Sequence, residues 1–133
     1  MTKKARQEVF EKYDGKCAYT GKPLGVDWQI DHMKSRFLAD YHKHTSLSFN
    51  EGHITNLMPT LRIVNHYKRA LDLEGFRKYM MSFHLRLAKL PKNTQIPRTT
   101  RRKEYMYKVA DAFEIAIDKP FNGVFYFETI NRK

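Results

Sequence analysis

The stretch Gln29-Ile30-Asp31-His32-Met33 places a carboxylate and an imidazole side by side at the end of a predicted strand. That strand, Val26–Ile30, is predicted to pair with Lys16–Tyr19 through a turn that contains glycine and proline. The hairpin would present Asp31 and His32 at the end of its second strand. Because neighbouring strand residues point to opposite faces, we expect the two side chains to have different tasks.

A second polar cluster follows downstream. Asn56-Leu57-Met58-Pro59-Thr60 has the composition of a helix start, and the predicted helix continues through Leu61 and Val64 to Lys68. Residues 33–55 show no clean period and are predicted to form a long irregular connection, which in a small domain is often functional. Its histidines are expected to be solvated rather than to bind a metal; they are His42, His44 and His53.

The remaining elements are predicted from periodicity and from turn residues. We expect helices over 2–13 with Thr2 as its cap, over 72–90 with Asp72 as its cap, and over 101–113. Residues 91–100 are expected to be a linker. Asn122-Gly123 is a strong hairpin signal, so strands are predicted over 113–117 and 124–130. The resulting fold class is α+β.

Length and charge restrict the function further. The chain has 133 residues, which suits one domain with one modest core. Its 25 Lys and Arg residues against 14 Asp and Glu give a net charge of +11, which favours a polyanionic partner such as nucleic acid. The sequence contains no apolar run of spanning length, so no membrane partner is expected. The single cysteine, Cys17, suits a reducing cytoplasm.

The two polar clusters have the residue types that cutting a phosphodiester bond requires. A histidine titrates near pH 6.5 in model peptides, so its neutral form is available as a general base. A hard cation such as Mg²⁺ takes carboxylate and amide oxygens as ligands and leaves positions for phosphate oxygens. Asp31, His32 and Asn65 supply these three groups.

Asp31-His32, then Asn56-Leu57-Met58-Pro59, then Arg62 to Lys68 together resemble the motif of HNH endonucleases, which have the ββα-metal fold. The resemblance covers about residues 13–80, and residues 91–133 would be a C-terminal extension of a single nuclease domain spanning 1–133. The C-terminal segment is similar, more weakly, to the tails of small free-standing HNH proteins of phages and mobile elements.

The resemblance implies a role for each matching residue. Asp31 would be the first metal ligand, and His32 would be the general base that activates water. Asn56 would brace the connection and orient His32. Asn65 would be the second metal ligand, with the neighbouring His66 as the alternative, because successive helix residues point about 100° apart and only one should reach the metal.

The resemblance also implies one divalent cation, Mg²⁺ in the first place and Mn²⁺ or a similar ion otherwise. Many relatives carry a structural zinc held by four cysteines, whose positions here correspond to Cys17, Thr20, Leu61 and Val64. One thiolate cannot form a tetrahedral zinc site, so we predict no structural zinc. Cys17 is expected to be a small buried apolar residue.

DNA is the expected partner, double-stranded DNA in the first place. The residues predicted to contact it are Lys34, Arg36, Arg62, Lys68, Arg69, Arg101 and Arg102. Two alternatives remain open, a non-catalytic DNA-binding module on the same scaffold and a nuclease directed at RNA. Sequence specificity, nicking against double-strand cleavage, oligomeric state and biological role are not decided by these residues.

Overall fold

The computed structural model describes residues 2–33 and 54–130, which form helices and a two-stranded sheet. In chain order the elements are α1 (Lys3–Glu11), β1 (Gln29–His32), a 3₁₀ turn (Ile54–Asn56), β2 (Leu57–Thr60), α2 (Arg62–Lys68), α3 (Leu73–Met81), α4 (Phe83–Ala88), α5 (Pro97–Phe113) and α6 (Tyr126–Ile130). This mixture of helices with a small antiparallel sheet agrees with the predicted α+β class. The predicted irregular connection falls almost entirely outside the described residues.

The sheet has a different second strand from the predicted one. β1 pairs antiparallel with β2, with Asp31 opposite Met58 and His32 opposite Leu57. The prediction that residues 56–60 begin a helix is therefore wrong, and so is the pairing of β1 with residues 16–19. Two causes explain the strand: Pro59 disfavours helical backbone at Met58, and all four β2 residues are buried.

Residues 16–23 form a tight turn that packs against β2. Lys16 and Pro23 form an isolated bridge, and the Cys17 amide donates to the Lys22 carbonyl at 2.8 Å. The Ala18 amide donates to the Pro59 carbonyl at 2.8 Å. This contact buries Ala18 against the sheet, and the next residue, Tyr19, is buried in the core.

Two of the predicted helix caps are confirmed. The Thr2 hydroxyl accepts from the Ala5 amide at 3.0 Å, and the Asp72 carboxylate accepts from the Gly75 amide at 2.7 Å. The predicted helix over 72–90 is divided into α3 and α4 at Ser82, whose hydroxyl donates to the Tyr79 carbonyl at 3.1 Å. Within the described ranges, no helix combines the length and apolar character needed to cross a bilayer.

The predicted C-terminal hairpin is wrong, because residues 126–130 form α6. The Asn122 side chain accepts from the Val124 amide at 3.0 Å, which makes a local turn instead of a strand connection. Glu128 then accepts from the Phe125 amide at 2.9 Å, as residues of a helix's first turn commonly do. The hairpin signal was therefore overridden by two local side-chain caps.

An aromatic cluster holds the first and last parts of the chain together. The Tyr19 ring meets Phe76 and Phe125 edge-on, at centroid distances of 5.4 and 5.1 Å. The Phe127 amide donates to the Ala18 carbonyl at 2.8 Å. The C-terminal segment thus completes the core that supports β1 and α2. Cys17 is fully buried in this same core, as predicted.

Replacing Glu128 with glutamine should lower the free energy of unfolding by about 1.5–3 kcal/mol, because hydrogen bonds to charged groups are lost. Arg77 donates to both Glu128 oxygens, at 2.6 and 2.7 Å. The two side chains are only 20% and 24% exposed. Urea denaturation measures the effect, with Glu104→Gln on the exposed face of α5 as the control. Equal stability of the two variants would contradict this role for Glu128.

Candidate active site

The candidate site lies where β1 contacts α2. Gln29 and Asp31 are two residues apart on β1 and therefore share one face. Asn65 and Lys68 are three residues apart on α2 and also share a face. The Asn65 amide donates to the Gln29 side-chain oxygen at 2.8 Å, and the Lys68 ammonium lies 3.2 Å from Asp31 Oδ1. The two contacts join the strand and the helix at successive positions.

The Asp31 carboxylate is buried and has two partners. Its side chain is 5% exposed; one oxygen accepts from the Tyr19 hydroxyl and the other from Lys68. Burial raises the pKa of Asp31 above its ordinary value, although the charge of Lys68 and the Tyr19 hydrogen bond act in the opposite direction. Burial beside this carboxylate also raises the pKa of Tyr19, so its hydroxyl remains a donor.

Lys68 lies in the interior, contrary to the prediction that it contacts nucleic acid from the surface. Its side chain is 1% exposed. Besides Asp31, its ammonium donates to the Leu71 carbonyl and to the His32 carbonyl, the latter at 3.4 Å. An ammonium has three donors, and all three have partners. Lys68 is therefore the counter-ion of Asp31 in this structure.

His32 and Asn56 lie together at the far end of the sheet from Gln29. His32 is the last residue of β1 and is half-buried, and its charge is one of those that lower the pKa of Asp31, so the two side chains lie near each other at the strand end. Asn56 is 5% exposed and immediately precedes Leu57, the strand partner of His32. Its carbonyl accepts from the Met33 amide at 2.9 Å, which braces the chain directly after His32. Its proposed action on the His32 ring stays a prediction.

Asn65 and His66 face different elements, as their positions on a helix require. Asn65 points to β1 through its bond with Gln29. His66 is exposed, and its Nδ1 lies 2.7 Å from the Tyr105 hydroxyl on α5. Asn65 is therefore the one on the side of Asp31. Its role as a metal ligand stays a prediction.

The donor chemistry of Asp31 and Asn65 suits a hard divalent cation, because both offer oxygen atoms. Such an ion completes its coordination with water and phosphate oxygens. The obstacle is Lys68, whose ammonium is already at Asp31 Oδ1 and would repel a second cation there. Among residues 2–33 and 54–130, no group of three or more His, Cys, Asp or Glu side chains could hold a metal ion.

Four of the residues predicted to contact nucleic acid are exposed, and two lie outside the described part of the chain. Arg62, Arg69, Arg101 and Arg102 are exposed, whereas Lys34 and Arg36 lie outside the described residues. The positive charges of Arg69 and Arg102 act on Tyr105, so these arginines lie on the same side of the molecule. The structure therefore brings α2 and α5 together as a basic surface beside the candidate site.

Several contacts of the site were missed by the sequence reasoning. The position of Lys68 three residues after Asn65 placed it on the same helix face, which was a usable signal for a contact with β1. Gln29 carried a similar signal, two residues before Asp31. For Tyr19 and Tyr105 there was none, because both reach the site through contacts distant in sequence.

The chain matches no protein-family model, no curated protein and no solved structure.

Proposed function

We propose that this chain is a divalent-metal-dependent DNA endonuclease of the HNH type, acting in a reducing cytoplasm. The observation that supports the proposal most is the contact of Asn65 with β1, two residues from Asp31. β1 carries Asp31 and His32, Asn56 directly precedes β2, and α2 carries Asn65, which is the order of these residues in the resemblance.

In the proposed reaction, His32 removes a proton from the attacking water, whose oxygen forms a bond to phosphorus. The bond from phosphorus to the 3′ oxygen breaks, the leaving oxygen takes a proton from water, and the products are a 5′-phosphate and a 3′-hydroxyl. Asn56 holds the backbone after His32, which keeps the imidazole at the end of β1. A half-buried histidine at a strand end is accessible to water and is still held by its neighbours.

Asp31 and Asn65 would hold the cation, Mg²⁺ in the first place and Mn²⁺ otherwise. When bound, the cation would neutralise the negative charge that develops on the phosphorane-like state and on the leaving oxygen. Asp31 is available for this task only when the Lys68 ammonium moves away from Oδ1, since two cations at one carboxylate oxygen repel each other. The exposed arginines of α2 and α5 would bind the phosphates of duplex DNA.

The burial of the Asp31–Lys68 pair favours a second candidate function. If Lys68 stays in place, the chain is a DNA-binding module that has the scaffold of a nuclease and no cleavage activity. The basic surface is unchanged in this alternative, because its arginines lie outside the ion pair.

Plasmid nicking tests the proposal. Supercoiled DNA should be cut in Mg²⁺ or Mn²⁺, cutting should stop with excess EDTA, and it should return when the metal is added back. An RNA of the same sequence, used as competitor, should inhibit less than duplex DNA does. Cutting that resists EDTA would exclude the proposed chemistry. DNA binding with no cutting in either metal would establish the binding module, and stronger cutting of RNA would establish an RNA-directed nuclease.

A further inference from the structure

A cleft of about 590 Å³ lies between α2 and α5, next to the contact of Asn65 with Gln29. Its walls include Gln29 from β1, Arg62 and His66 from α2, and Tyr105 and Lys108 from α5. Gln29 therefore belongs both to the cleft and to the candidate site, because its side-chain oxygen accepts from Asn65. Whatever occupies the cleft therefore lies on the face of β1 that carries Asp31, two residues away along the strand.

The cleft has the chemistry of a nucleotide-binding site. Arg62 and Lys108 are exposed cations on opposite walls, which suits one or two phosphate groups. Tyr105 offers an aromatic ring, and such rings stack on nucleic-acid bases. Asp27, which also lines the cleft, supplies an acceptor for an N–H group of a base. A volume of several hundred Å³ is typical of pockets for molecules of this size.

The wall that carries Tyr105 is held in place. The Tyr105 hydroxyl lies 2.7 Å from His66 Nδ1, and the two rings meet edge-on at 88°. The Tyr67 ring also lies beside Tyr105, at a centroid distance of 6.1 Å and an interplanar angle of 49°. Arg69 and Arg102 bring further positive charge to the same ring. An anionic ligand is therefore attracted to the cleft from both helices.

We propose that this cleft binds one nucleotide unit of the substrate, with its phosphates at Arg62 and Lys108 and its base at Tyr105. The inference takes its substrate class, DNA, from the proposed function. It adds the place where the DNA strand is held next to the bond that is cut. It also gives His66 a task other than metal binding, namely the positioning of Tyr105.

The test is a titration of the full chain with thymidine 3′,5′-bisphosphate in EDTA, followed by amide NMR shifts. Shifts should concentrate at α2 and α5. Arg62→Ala and Lys108→Ala should each weaken binding about tenfold, the loss expected for one charged hydrogen bond. Tyr105→Leu should weaken binding as well. Lys78→Ala, which removes an exposed charge from α3, is the matched control and should bind like the unaltered chain.

Three results would overturn the inference. Shifts spread evenly over the surface, or equal weakening by Arg62→Ala and Lys78→Ala, would mean binding by net charge alone. Inorganic phosphate binding as tightly as the bisphosphate would exclude a nucleotide site. Because the titration contains no metal, it is independent of cleavage: binding in the cleft without plasmid nicking supports the cleft and refutes the nuclease. Nicking with unchanged substrate affinity in the Arg62 and Lys108 variants refutes the cleft alone.

Discussion

Replacing Lys68 with methionine should lower the free energy of unfolding by about 3–5 kcal/mol at neutral pH, the usual cost of removing one partner of a buried ion pair. Methionine keeps most of the apolar stem of lysine, so the substitution removes chiefly the charge and its hydrogen bonds. Asp31, at 5% exposure, would be left as a buried carboxylate without a counter-ion. Urea denaturation followed by circular dichroism measures the change.

The loss in Lys68→Met should become smaller as the pH falls. Burial already raises the pKa of Asp31, and removing Lys68 removes the largest influence that lowers it. A carboxyl group whose folded-state pKa is raised contributes its stability fully below its unfolded pKa, near 3.9, and loses it as the pH rises through the folded pKa. The difference between the variant and the unaltered chain should therefore be largest at neutral pH and smallest in acid.

Two further variants separate the charge from the packing. Lys78→Met changes an exposed lysine in the same way and should leave stability nearly unaltered. Adding Asp31→Asn to Lys68→Met removes the isolated charge and should recover much of the loss. A loss that is constant with pH, or that the double variant does not reduce, would show that Lys68 acts through its bonds to the Leu71 and His32 carbonyls instead.

Replacing His32 with alanine should lower the single-turnover rate of DNA cleavage by about 10²–10⁴-fold, the usual contribution of a general base. The effect should fall on the rate and not on DNA affinity, because His32 is not one of the basic residues of α2 and α5 that are proposed to bind the phosphates. The measurement is nicking at saturating protein and metal, together with binding of the same DNA in EDTA.

Added imidazole is the control for the His32 variant, because it should raise the rate only if His32 acts as a base and not if His32 merely supports the structure. It should restore part of the rate to His32→Ala, because a free base can enter the space left by the side chain. The unfolding midpoint should change little, since His32 is only half-buried. An undiminished rate in His32→Ala, or an equal fall in DNA affinity, would contradict the assignment of His32 as the base.

The parts of the fold that could be predicted are those that depend on local chemistry. Thr2 and Asp72 are helix caps that act within three residues, and both were identified correctly. The β2 strand was missed because its conformation depends on Pro59 and on burial against residues distant in sequence. The prediction for the C-terminal segment was wrong for a similar reason. Asn122-Gly123 suggests a hairpin, but the carboxylate of Glu128 caps a helix.

The candidate site was predicted in part. The position of Asn65 in the sequence motif favoured it over His66 as the residue on the side of Asp31, and the contact with Gln29 agrees with that choice. Lys68 was predicted to contact nucleic acid because of its positive charge and its position beside Asn65. Its partner is 37 residues away in sequence, so only the pairing of β1 with α2 explains its burial.

The hydrogen bond from the Phe127 amide to the Ala18 carbonyl has a consequence for synthesis of the chain. A ribosome makes Asp31, His32 and Asn65 early, but the aromatic cluster behind them has no Phe125 or Phe127 until nearly all of this sequence has been translated. Domains fold as units, so the nascent chain keeps this apolar surface exposed until then. The sheet and α2 should therefore acquire their final packing only after residue 127 has left the exit tunnel.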